Sequence, residues 1–177
     1  MKKLFLLLFC FITLSGQVFS QRLLISGIVG FPQSGFAFAN NSVIDQSAYG
    51  GSIGLEQKLS NTFSAYGTIG ATFLSQKGVS DVSTIIPVMI GIKLNMGAGG
   101  FLPFIGAEIG YEFTQYDDYF LGKQTVKEAA IGVFLGLEVP LTSKISLNLE
   151  GKYGFVLALF RTNSLASINI GVAFGLN

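Results

Sequence analysis

The chain has no histidine and no tryptophan, one cysteine, four prolines, and charged side chains at 12% of its 177 residues. Each scarcity excludes something. Without histidine, the imidazole that commonly serves as a general base near neutral pH is missing. The single thiol, Cys10, lies in an apolar stretch near the N-terminus, so the body of the chain has no disulfide, no thiolate nucleophile and no cysteine metal site. Lysine and arginine number 11 against 10 acidic residues, which gives none of the basic surface that nucleic acid demands. Beyond residue 20 no apolar run approaches the roughly 20 residues that a membrane-spanning helix needs. Yet half of the residues are hydrophobic.

The N-terminus reads Met1-Lys2-Lys3, then an apolar stretch over 4–14, then Gly16-Gln17-Val18-Phe19-Ser20. A short basic segment, an apolar core and a weakly polar end predict a secretory signal peptide over 1–20, cleaved before Gln21. The apolar core is too short to span a bilayer, and Ser20-Gln21 stands where lipid attachment would need cysteine. Cleavage removes Cys10, Lys2 and Lys3, and leaves nine basic against ten acidic residues. Residues 21–177 hold no linker or charge block, so a single domain is expected there.

That domain reads as repeated alternation of apolar and small or polar residues, the period-two signature of β-strands. Strands are predicted over 22–31, 47–59, 62–74, 84–96, 101–113, 127–140, 145–155 and 165–176. The breaks between them alternate in length. Short turns fall at 60–61, 97–100 and 141–144; longer loops fall at 32–46, 75–83, 114–126 and 156–164. An all-β, eight-stranded antiparallel up-and-down barrel explains this, with every short turn on one rim, every longer loop on the other, and both ends of the barrel at the short-turn rim.

The two parities differ in kind. In strand four, Ile86, Val88, Ile90, Ile92 and Leu94 share one face while Met89, Gly91, Lys93 and Asn95 share the other. Across strands two to eight the charged set is Glu56, Lys58, Lys93, Glu108, Glu112, Glu138, Glu150 and Lys152, all on the glycine-bearing parity, with no charge expected on the opposite one. In a membrane barrel that parity faces the lumen, whose narrow bore suits glycine beside long ions. The expected role is structural filling by partly paired charges. Phe31, Tyr49, Phe73, Tyr111, Phe113, Tyr153 and Phe155 cluster toward the long-loop rim on the apolar parity, and Phe63 and Phe174 toward the other. Such rings favour the headgroup level of a membrane.

The segments Ile86-Pro87-Val88-Met89-Ile90-Gly91-Ile92-Lys93, Pro103-Phe104-Ile105-Gly106-Ala107-Glu108-Ile109-Gly110-Tyr111 and Ile168-Asn169-Ile170-Gly171-Val172-Ala173-Phe174 look like strands of small outer-membrane barrels. Over 21–177 the chain resembles the eight-stranded barrels of the OmpA and OmpX kind. The resemblance implies a transmembrane β-barrel in the outer membrane of a Gram-negative bacterium, with membrane lipid and the barrel insertion machinery as partners. Members of that family commonly end on an aromatic residue; here the last aromatic is Phe174. The enzymes among similar barrels resemble one another in using serine or aspartate with histidine, which this chain lacks. The reading is therefore non-enzymatic, with no catalytic residues, no cofactor and no metal site; Glu108 with Glu112, and Asp117 with Asp118, are too few for either chemistry.

A specific role would lie on the loops. Phe36 and Phe38 in the first, and Tyr116, Asp117, Asp118 and Tyr119 in the third, mix aromatic and hydrogen-bonding groups and are candidate contacts for an envelope or surface protein. Continued strand pairing above the membrane is the plainer reading of the same segments. The expected function is a structural or surface-interaction role. A porin-like channel or transporter for small hydrophobic or ionic solutes, and a secretion or assembly accessory, are alternatives. A secreted soluble barrel that binds a ligand would carry the charged parity outside.

Overall fold

The computed structural model describes residues 20–34, 46–76, 83–97, 100–118, 122–157 and 162–176. Eight strands run in chain order: β1 (Gln21–Ser34), β2 (Gln46–Lys58), β3 (Phe63–Gln76), β4 (Ser83–Asn95), β5 (Leu102–Asp118), β6 (Gly122–Pro140), β7 (Ile145–Leu157) and β8 (Thr162–Gly175). Each pairs antiparallel with its neighbours in sequence, and β1 pairs with β8, so the sheet closes on itself. Closure matters because a barrel leaves no sheet edge with unpaired backbone groups. The predicted signal segment lies outside the described residues except Ser20, whose carbonyl accepts from the Lys58 backbone N–H at 3.2 Å.

Two of the short turns are built alike. Ser60 Oγ accepts from the N–H groups of Thr62 and Phe63 at 3.2 and 2.9 Å. Thr142 Oγ1 does the same for Lys144 and Ile145 at 3.2 and 3.0 Å. A hydroxyl that satisfies two turn amides explains why so few residues reverse the chain there. The C-terminal end of β8 returns to this rim, where the Leu176 N–H donates to the Gln21 carbonyl at 2.9 Å.

At the opposite rim the strands run further than expected, and among the described residues the departure is largest in one hairpin. The predicted loop over 114–126 is mostly strand: β5 and β6 stay paired out to Asp118 opposite Gly122, making them 17 and 19 residues long against 13 or 14 elsewhere. Gly122 supplies the positive φ of 69° at the tip of this hairpin.

Burial follows the predicted parity. Ile53, Ile69, Ile90, Ile109, Val133, Leu149 and Ile170 are among the large apolar side chains left exposed around the outside. Arg22, Glu56, Lys93, Glu108 and Glu138 are buried. This inverts the arrangement of a water-soluble domain, in which exposed apolar residues are scattered and buried ions are rare. The charged parity therefore lies inside, and the soluble barrel with charges outside is not the structure adopted.

Candidate functional site

Among the described residues the ionisable groups converge in the lumen, and the strands bring them there from distant parts of the sequence. Arg22 on β1, Glu56 on β2, Lys93 on β4 and Glu138 on β6 all stand within a few residues of the short-turn rim. Arg22 meets Glu138 with both arms of its guanidinium, Nη2 to Oε1 at 2.7 Å and Nη1 to Oε2 at 3.0 Å. Its Nη1 also lies 3.4 Å from Glu56 Oε2. Lys93 Nζ sits 2.8 Å from Glu56 Oε1 and 3.3 Å from Glu138 Oε2, and 4.9 Å from the centre of the Phe104 ring. Two cations and two anions close a neutral ring across the bore. Ions this deeply buried are tolerated because each has its counter-charge and a hydrogen-bond partner.

A second group stands above it. Lys152 forms an ion pair with Glu108, whose other oxygen accepts from the Tyr66 hydroxyl at 2.8 Å. Glu150 accepts from the Asn169 amide at 2.7 Å. These residues line a cavity of about 100 Å³ with Ser26, Ser52 and Asn148. Ser26 and Ser52 share a hydrogen bond of 2.7 Å across the paired strands β1 and β2. Glu112 lies half-buried on the same inward parity, further up β5. Lys58 ends β2 at the short-turn rim, half-buried, and its ammonium joins no ion pair among the described residues.

Glycines make room for this filling. A Cβ on Gly106 would run into the Phe134 ring, one on Gly136 into the Phe104 ring, and one on Gly91 into Tyr66. In each case the glycine pairs in register with the large residue on the neighbouring strand: Gly106 with Phe134, Gly136 with Phe104, and Gly91 with Tyr66. The three rings then stack edge to face, Tyr66 on Phe134 at 5.6 Å and Phe104 on Phe134 at 6.1 Å. An apolar wedge thus fills the bore beside the ions.

Sequence reasoning missed four charged residues. Arg22, the hub of the lower network, was outside the predicted charge set, because the inward face of β1 also carries the apolar Leu24 and Ile28 and its parity was not decisive. Glu128 shares the inward parity of β6 and is half-buried. Lys123 and Lys127 stand exposed on the outward parity of β6, which corrects the expectation that this face is free of charge. They lie on the upper part of the long hairpin, beyond the apolar band. Of the candidate loop contacts, Phe36, Phe38 and Tyr119 lie outside the described residues, whereas Tyr116, Asp117 and Asp118 belong to the upper end of β5. Among the described residues no group of three or more histidine, cysteine, aspartate or glutamate side chains is placed to hold a metal ion.

A closed eight-stranded antiparallel sheet with a greasy exterior and an ion-filled bore defines a class: this is the fold of the small outer-membrane β-barrels. Solved structures agree. The Neisserial surface protein A matches over 87% of this chain and 96% of its own at 11% identity, with a TM-score of 0.72. Ail, the attachment invasion locus protein of Yersinia pestis, matches over 89% and 99% at 8% identity, with a TM-score of 0.60. The N-terminal barrel domain of Pseudomonas aeruginosa OprF matches over 89% and 100% at 13% identity, with a TM-score of 0.54. No protein-family model matches the sequence, and no curated protein matches it significantly.

Proposed function

We propose that the chain is a non-enzymatic integral barrel of the bacterial outer membrane, exported through cleavage of 1–20 and given over to a structural or surface-contact role. The observation that carries this is the inverted burial: large apolar side chains cover the outside while paired ions fill the bore. Lipid is the solvent in which such a surface is stable. The barrel insertion machinery is its expected partner during assembly, and membrane lipid afterwards.

The lower network supports a closed lumen over a conducting one, because Arg22, Glu56, Lys93 and Glu138 bridge the bore. The charge cluster then acts as a plug that holds opposite walls together. A contact role for the long-loop rim draws support from Ail, which shares the fold and has been solved in complex with the heparin analogue sucrose octasulfate. The extended β5–β6 hairpin is the surface that offers such contact here.

The test is the behaviour of the mature chain. Folded into phospholipid vesicles, it should migrate faster on a cold detergent gel than after boiling, and should need detergent to stay in solution. A monodisperse, folded chain in buffer without detergent would sink the proposal. Planar-bilayer recordings separate the closed plug from a pore: steady conductance by the intact barrel would overturn the closed lumen.

A further inference from the structure

The cavity above the lower network is lined by more negative charge than its cations offset. Two ammonium groups reach it, and both are taken: Lys93 by Glu56 and Glu138, and Lys152 by Glu108. Glu150 lines the same cavity, half-buried, and joins no salt bridge among the described residues. It accepts a hydrogen bond from the Asn169 amide, which is neutral. Further up the bore Glu112 and Glu128 pair in register on the inward parity. Among the described residues, the lumen above the lower network thus sets Glu108, Glu112, Glu128 and Glu150 against the single ammonium of Lys152.

Neutral oxygens gather beside Glu150. It pairs in register with Asn169 of β8, and Asn148, the next inward residue on β7, pairs with Gly171. Gly171 pairs on its other side with Ser26 of β1, and Ser26 with Ser52 of β2, so Asn148, Gly171, Ser26 and Ser52 form one row across the sheet. The glycine lets Ser26 close in: a Cβ there would come within 2.8 Å of the Ser26 Cβ. All of these residues line the cavity. The Oδ1 atoms of Asn148 and Asn169 are sealed from solvent and have no hydrogen-bond partner among the described residues. Asn169 already donates through its nitrogen to Glu150, which fixes its oxygen as the unpaired end. A buried amide oxygen left without a donor is costly, and two of them border one cavity.

We infer that this cavity binds one calcium ion, with Glu150 as its charged ligand and the amide oxygens of Asn148 and Asn169 beside it. Calcium takes six to eight oxygens in flexible geometry, from carboxylates, amide carbonyls and water alike, so it does not require a cluster of three acids. Ser26, Ser52 and water complete the set. Water alone satisfies amide oxygens but leaves the surplus carboxylates without a counter-charge; a divalent cation answers both needs. Magnesium fits less well, because it demands near-octahedral order and gives up its own water reluctantly. One carboxylate ligand makes the site weak, with a Kd of about 0.1–1 mM, the range of extracellular calcium modules. The inference goes beyond the membrane reading and rests on the barrel interior alone.

The experiment uses the full-length mature barrel folded in zwitterionic detergent, and equilibrium dialysis against radioactive calcium should find one ion per barrel. At calcium about ten times its Kd, the ratio of folded to unfolded chain in denaturant should rise about elevenfold over sodium chloride of equal ionic strength. Glu150→Gln should weaken binding at least about tenfold, and Asn148→Leu and Asn169→Leu about fivefold each. Asp117→Asn combined with Asp118→Asn, at the tip of the long hairpin, should bind as the parent does. A folded parent that takes up no calcium would overturn the inference, and its cavity would then hold water only. Parent-like binding by Glu150→Gln would overturn it too, as would an equal loss in the hairpin variant. Equal stabilisation by sodium or magnesium chloride would overturn the assignment to calcium. Gel mobility checks that every variant folds; where one does not, the parent's response to calcium against sodium still decides. A barrel that inserts into vesicles and shows heat-dependent mobility, yet takes up no calcium, refutes this site and leaves the membrane reading standing.

Discussion

Arg22 and Glu138 are 116 residues apart in sequence and meet through two parallel hydrogen bonds inside the barrel, fastening β1 to β6 across the bore. The pair is almost fully removed from solvent, with side-chain exposures of 6% and 4%. Neither strand touches the other through the sheet, so this contact ties together walls that backbone pairing does not connect.

Removing the cation alone should be costly. Arg22→Met leaves Glu56 and Glu138 with Lys93 as their one remaining counter-charge, and is expected to lower the unfolding free energy by about 3 kcal/mol. The temperature at which the compact gel band converts to the slow one measures this. The double variant Arg22→Met with Glu138→Leu should recover a good part of the loss, because it removes the orphaned charge as well. An equal loss in single and double variants would argue against the network.

The glycine positions predict a steric pattern. Gly106→Val places its side chain against the Phe134 ring and should cost several times the roughly 1–3 kcal/mol of ordinary overpacking, seen as a low yield of folded barrel in vesicles. Gly151→Ala, whose Cβ would meet one backbone oxygen at an ordinary 4.0 Å on the outside, should fold like the parent.

Charge on the outside should hurt in proportion to depth. Ile109 is exposed and pairs with Ile90 and Ile131 in the middle of the apolar band. Ile109→Arg is expected to cost about 2–4 kcal/mol in denaturant unfolding from vesicles, and Leu141→Arg, at the short-turn rim, about 0–1 kcal/mol. Equal costs at both positions would mean that this band does not sit in lipid.

Tyr66 holds Glu108 with a hydrogen bond of 2.8 Å while packing its ring on Phe134. Tyr66→Phe keeps the ring and should cost about 1.5–3 kcal/mol, the range for a hydrogen bond to a charged group. Tyr66→Ala should cost more, since it also opens a void beside Phe134 and Phe104. Denaturant midpoints of the two variants separate the hydroxyl from the ring.

The strands were legible wherever lipid and lumen impose opposite demands on successive residues. Ile90, Ile92 and Leu94 against Met89, Gly91 and Lys93 can be read in only one way. Legibility ended where one demand ended. Beyond the apolar band the outward face is no longer required to be apolar, so Gln115 and Thr125 look like loop although their backbone stays paired. Within the bore the loss was of another kind. Parity assigns Glu56 and Lys93 to one side, but nothing in their spacing says that Arg22 joins them, since that contact depends on how the strands stagger around the closed sheet. The match of each glycine with a ring on the next strand is hidden for the same reason: it is a property of register.

The ladder between β1 and β8 joins Arg22 to Gly175 and Ile25 to Val172, so the eighth strand completes the first. A chain that stops short of residue 162 does not lose an eighth of its stability. It is left with two raw backbone edges, which in hydrocarbon would cost several kcal/mol for each unpaired group. Closure is thereby all-or-none: seven strands make not a smaller barrel but an open sheet with two edges to satisfy.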